Sequence, residues 1–141
     1  MKFKMLIPVL LGILFMASKC EKSEKTSMFC QKWAFVSSED PYQGGTIGTA
    51  DPANIQYRVF EVDGTYEEYD NDNSGVGRWA FNEDSTRVGI VFEKYNGQST
   101  GKDLTVADFR WQILELTKDK LVLSIQGRHG FVKHEYKAVK G

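Results

Sequence analysis

The residues able to do chemistry are few, and their spacing argues against most of the chemistry open to them. The two histidines, His129 and His134, are five positions apart near the end of the chain. Side chains alternate between the faces of a strand, so the two point to opposite sides and cannot share a metal ion. Glu67 and Glu68 are neighbours, as are His134 and Glu135, and the same alternation separates each pair, which removes them as general acid and base. No serine sits in a Gly-x-Ser-x-Gly elbow. The glycine-rich stretches at 44–48 and 96–101 lack the Lys-Ser/Thr ending of a phosphate loop. Asp70-Asn71-Asp72-Asn73-Ser74-Gly75 has the opening of a calcium loop, but Phe81 stands where the bidentate glutamate belongs, so an Asx-rich turn is the favoured reading. Cys20 and Cys30 have no histidine near them and make no metal site. They close a short disulfide loop in an oxidising envelope, or Cys30 is a small apolar residue opening the first strand. The chain is therefore expected to be no enzyme and to need no cofactor or metal.

Binding is the chemistry that remains. Trp33, Phe60, Tyr66 and Trp79, joined by Phe92, Trp111 and Tyr136, are placed to line a cavity for a small hydrophobic ligand, with tyrosine hydroxyls fixing its orientation. The competing expectation is that the same rings fill the core, leaving a structural or protein-interaction module that acts through its loops and outer surface. A cavity above about 300 Å³ separates the first reading from the second. The acidic run Glu61, Asp63, Glu67, Glu68, Asp70 and Asp72 suits a basic partner, although a solvated hairpin is the simpler account.

These rings are positioned by strands. From Tyr57 to Phe81 two β-rich runs flank Asp63-Gly64, a pair suited to the positive φ values of a type I′ turn, and a third run follows a polar loop. Taken in order, strands are predicted at 31–36, 56–62, 65–69, 77–81, 86–93, 109–116, 121–126 and 130–139, with no helix. Apolar residues change phase between Ile113 and Leu114, which predicts a β-bulge. Between Ser37 and Asn54 no apolar period survives, so a long loop is expected there, placed to close over a ligand. Eight antiparallel strands in sequence order predict an all-β, eight-stranded up-and-down barrel, which removes exposed edges; two packed sheets are the alternative.

The N-terminus reads as an export signal. Lys2 and Lys4 precede an apolar run from Met5 to Met16, too short to span a bilayer comfortably. The expected division is a signal peptide over 1–19, a tether over 20–29 and the barrel over 30–141. Loss of residues 1–19 removes Lys2, Lys4 and Lys19 and no acid, taking the formal charge from −1 to −4. Such a surface has no electrostatic grip on nucleic acid or on anionic membrane. A monomer is expected.

Ala17-Ser18-Lys19-Cys20 followed by a polar stretch resembles a bacterial lipoprotein signal, which implies lipidation at Cys20 and anchoring in the cell envelope, at the outer membrane, with the barrel in the periplasm or at the cell surface. Lys32-Trp33, Val59 to Tyr66, Gly77-Arg78-Trp79, Arg110 to Leu116, Leu121-Val122-Leu123 and Glu135-Tyr136-Lys137 are, in that order, similar to the lipocalin-like lipoproteins of Bacteroidetes type. The resemblance covers residues 31–139. It implies that Trp33 plugs the closed end, with a basic residue of the last strand over it, for which Lys133, Lys137 and Arg128 are the candidates.

Overall fold

The alternating pattern becomes one closed sheet. The computed structural model describes residues 23–141, so the signal segment and Cys20 lie outside the described residues. Helix α1 (Glu24–Phe29) precedes β1 (Lys32–Asp40), β2 (Gly45–Thr49), β3 (Tyr57–Phe60), β4 (Thr65–Tyr69), β5 (Ser74–Phe81), β6 (Arg87–Tyr95), β7 (Gln98–Ser99), β8 (Trp111–Leu116), β9 (Lys120–Gly127) and β10 (Gly130–Ala138). Antiparallel pairing runs β1-β3-β4-β5-β6-β8-β9-β10. Strand β10 then returns to β1, with Trp33 opposite Ala138 and Glu39 opposite Lys133, and closes an eight-stranded up-and-down barrel. Closure leaves no long unpaired edge within the ring.

The predicted bulge is present. Ile113 pairs with Leu123 and Glu115 with Val122, so Leu114 is the extra residue and is turned out to solvent. A second irregularity falls between Val76 and Gly77, where β6 crosses β5 closely. A Cβ on Gly77 would lie 1.9 Å from the Val91 carbonyl oxygen, so only glycine allows this approach.

Three expectations change. The segment 37–54 is not a loop throughout: β1 continues to Asp40, and Gly45–Thr49 folds back on it as β2. Gly44 and Gly45, at φ 89° and 129°, make the reversal, while the Asp40 carboxylate accepts from the Tyr42 amide. This arm is mostly solvated on both faces, so it needs no apolar period and left none to read. The turn after β3 is not type I′. Only Gly64 has positive φ; its amide donates to the Glu61 carbonyl, and Asp63 accepts from the Thr65 amide. This is the three-residue loop ending in a left-handed glycine. Residues 24–29, within the expected tether, form α1, capped by the Ser23 hydroxyl accepting from the Thr26 amide at 3.2 Å. Six residues are too few to display a helical period.

Helix α1 stoppers one end of the barrel. Phe29 is fully buried, with its ring 4.3 Å from Phe60, 5.1 Å from Trp79 and 5.0 Å from Phe81. Trp33, also fully buried, donates its indole N–H to the Phe29 carbonyl at 3.0 Å. Trp33 therefore does sit at the closed end, but it is α1 that covers it. Lys133, Lys137 and Arg128 are all exposed. Cys30 packs against this core.

Candidate functional site

The other half of the barrel is built differently, and β3 and β4 show why. In a strand, every second residue faces inward. With Phe60 inside, Arg58 is inside as well; with Tyr66 inside, Glu68 follows. Register sets Phe60 opposite Tyr66 and Arg58 opposite Glu68, so one step above the aromatic plug the interior turns from apolar to charged. Arg58 is only 8% exposed.

Around this step lies a cavity of about 400 Å³. Its apolar walls are Tyr66, Ile90, Phe92, Trp111 and Ile125; Arg58 and Glu68 form a polar patch among them. At its margin stand Lys102, Asp103, Asp108 and Arg110, the last two ion-paired at 2.5 Å. The position of the cavity follows from a weak seam. Strands β6 and β8 pair only at Arg87–Gln112 and Val88–Trp111, whereas β5 and β6 pair along nearly their full length. Beyond Val88 and Trp111 the gap is bordered by residues 100–110, which form no strand. That segment packs on β6 at Gly89, where a Cβ would lie 2.4 Å from a Val106 methyl and 2.7 Å from the Asp108 carbonyl oxygen.

Arg58 is held in an unusual way. Its guanidinium carbon lies 4.5 Å over the Trp111 ring and 5.3 Å from the Tyr136 ring. Glu68 approaches its Nε to 3.6 Å, beyond hydrogen-bond range, while the same Glu68 oxygen accepts from the Tyr66 hydroxyl at 2.9 Å. Nε and Nη1 of Arg58 are both closed off from solvent and have no acceptor, and the Tyr136 hydroxyl is equally buried and unpartnered. Burial works against the arginine charge, but Tyr136, Tyr66 and Glu68 outweigh it and raise its pKa. Burial also pushes the Tyr66 and Tyr136 phenols up. His134, beside Trp111 and Tyr136 and 3.1 Å from the Ser38 hydroxyl, is pushed down to about 4, first by burial and then by the Arg58 charge.

The seven aromatic residues singled out from sequence thus divide. Tyr66, Phe92 and Trp111 line the cavity; Trp33, Phe60 and Trp79 are closed-end core; Tyr136 packs on Arg58. No residue of 37–54 lines the cavity; of the residues outside strands, Lys102, Asp103, Asp108 and Arg110 do. Sequence reasoning passed over Arg58 and set Glu68 in an acidic run on the hairpin, although each stands two residues from an aromatic expected to face inward. The Asp70 turn is closed on itself, its carboxylate accepting from the Asp72 and Asn73 amides at 2.7 and 2.8 Å. Among the described residues no group of three or more His, Cys, Asp or Glu side chains is placed to hold a metal. The chain matches no protein-family model, no curated protein and no solved structure.

Proposed function

We propose that this protein is a lipocalin-like envelope lipoprotein, anchored through a lipid on Cys20, whose barrel carries a small ligand with an apolar body. The observation that carries the reading is the cavity of about 400 Å³ in the open half, walled by Tyr66, Phe92 and Trp111. Ligand pockets begin near 300 Å³ and combine apolar walls with a few convergent polar groups, which is the composition found here. A barrel filled from end to end would favour a purely structural role, and only the closed half is filled. The reading is of a binder and not an enzyme: Glu68 and Tyr66 are hydrogen-bonded to each other, and Arg58 offers donors rather than a titrating group.

The test is native mass spectrometry of the full chain, produced in a bacterial host and released gently from its membrane fraction. The expected result is a lipid mass on the polypeptide together with a second mass that organic extraction removes. Recovery of unmodified precursor would overturn the anchor. A polypeptide with no extractable mass, and no uptake of added hydrophobic probes, would overturn the carrier.

A further inference from the structure

We infer that the ligand is a small organic carboxylate, held head-first by the guanidinium of Arg58. This deepens the carrier reading and rests on it. A guanidinium brings five donors and no acceptor, and a buried donor left without a partner costs about 1–3 kcal/mol, more when charged. Arg58 is over nine-tenths buried, lines the cavity, and leaves both Nε and Nη1 without an acceptor. The neighbouring carboxylate does not fill them: Glu68 stays at 3.6 Å on the Nε side and takes the Tyr66 hydroxyl instead. The Tyr136 hydroxyl, on a ring packed against the same guanidinium, is a further donor awaiting an oxygen. What is missing is a group with at least two acceptor oxygens, small enough to enter beside Trp111.

A carboxylate supplies that group, and the planar fork of arginine matches it bidentately. A neutral carbonyl or alcohol would satisfy one donor, with roughly half the strength of a charge-assisted bond. The approach is to Nη1, on the end of the fork away from the Glu68 contact at Nε. Nη1 is closed off from solvent, so the carboxylate reaches it once the guanidinium, which already forms part of the cavity wall, turns about its last torsions. The ring faces of Trp111, Phe92 and Tyr66 then receive the apolar body, which favours an aryl or short alkyl chain. Entry is through the β6–β8 seam, where Lys102, Asp103 and the Asp108–Arg110 ion pair stand at the margin.

The test is titration of the delipidated full chain, by calorimetry and Trp fluorescence, with three probes on one carbon frame: phenylbutyrate, phenylbutanol and phenylbutylamine. The expected result is phenylbutyrate binding at least about tenfold tighter than phenylbutanol, with the amine weakest. In Arg58→Met that preference disappears, phenylbutyrate losing far more affinity than phenylbutanol, and in Arg58→Lys the preference is reduced but keeps its sign. Circular dichroism establishes that a variant is folded, and the wild-type ranking stands without any variant. Equal binding of acid and alcohol, a preference for the amine, or a preference that survives Arg58→Met would overturn the carboxylate and leave the carrier standing. Binding of none of the three would overturn the carboxylate, and the extractable mass then decides whether the carrier falls with it.

Discussion

The two halves of this barrel use the same strands and the same alternation for opposite ends. Below, α1 and the rings of Phe29, Trp33, Phe60, Trp79 and Phe81 interlock, and the indole N–H groups of Trp33 and Trp79 find the Phe29 and Glu61 carbonyls. Above, two residues along β3 and β4, Arg58 and Glu68 replace rings, a cavity opens, and donors lack acceptors. Satisfied packing raises stability, whereas orphaned polar groups lower it and persist where they do something else. The difference teaches which half holds the fold and which half leaves room for the proposed ligand.

Removing the stopper breaks the comparison most severely. Phe29→Ala is expected to lower stability by about 3–5 kcal/mol, the cost of deleting a fully buried ring from a packed core. Urea unfolding measures it. A loss under about 1 kcal/mol would mean that α1 merely rests against the barrel. The opposite sign is expected above. Replacing the charged pair together, Arg58→Met with Glu68→Gln, should leave stability unchanged or raise it by about 1–3 kcal/mol, since the orphaned guanidinium is gone. The same denaturation experiment decides, and a large loss would show the pair to be structural.

A smaller effect sharpens the polar character of the upper half. His134 is pushed down to about 4 in the folded barrel, against an ordinary value of 6.5. Between these pH values the unfolded chain takes up a proton at His134 that the folded chain refuses, so the contribution of His134 to stability falls as pH drops from 6.5 towards 4 and levels off below. The ring faces Phe35, Trp111, Tyr136, the Ser38 hydroxyl and the Arg58 charge, and it keeps part of its surface in water. After discounting for that water, the loss should be about 1–2 kcal/mol. Thermal melts across this range should show a slope in wild type that is shallower in His134→Phe. The smallest effect belongs to neither half: Leu114, extruded by its bulge and 44% exposed, should tolerate Leu114→Ser within about 0.5 kcal/mol.

How much of this was legible in sequence depends on whether the signal was periodic. The eight ring strands and the bulge at Leu114 could be read because burial of one face imposes alternation and a bulge shifts its phase. Strand β2 could not, because it buries too little to leave a pattern. Helix α1 is shorter than two turns, and its single telling residue, Phe29, looks the same in sequence as any isolated aromatic. The site was legible in part. Tyr66, Phe92 and Trp111 follow from inward alternation, but dividing seven rings between plug and cavity needs the height of each within the barrel. Arg58 and Glu68 share the phase of Phe60 and Tyr66. Charge conventionally marks the solvent face of a strand, and that prior concealed two inward positions that the alternation had already specified.

The division of labour between the halves can be tested at three atoms. The chain has three tryptophans, and each gives one indole N–H resonance. Trp33 and Trp79 lie in the plug and Trp111 lines the cavity against Arg58. On titrating phenylbutyrate into the ¹⁵N-labelled full chain, the Trp111 signal should shift while those of Trp33 and Trp79 stay in place. Three unmoved signals, or shifts centred on Trp33 and Trp79, would contradict a barrel that is solid at one end and receptive at the other.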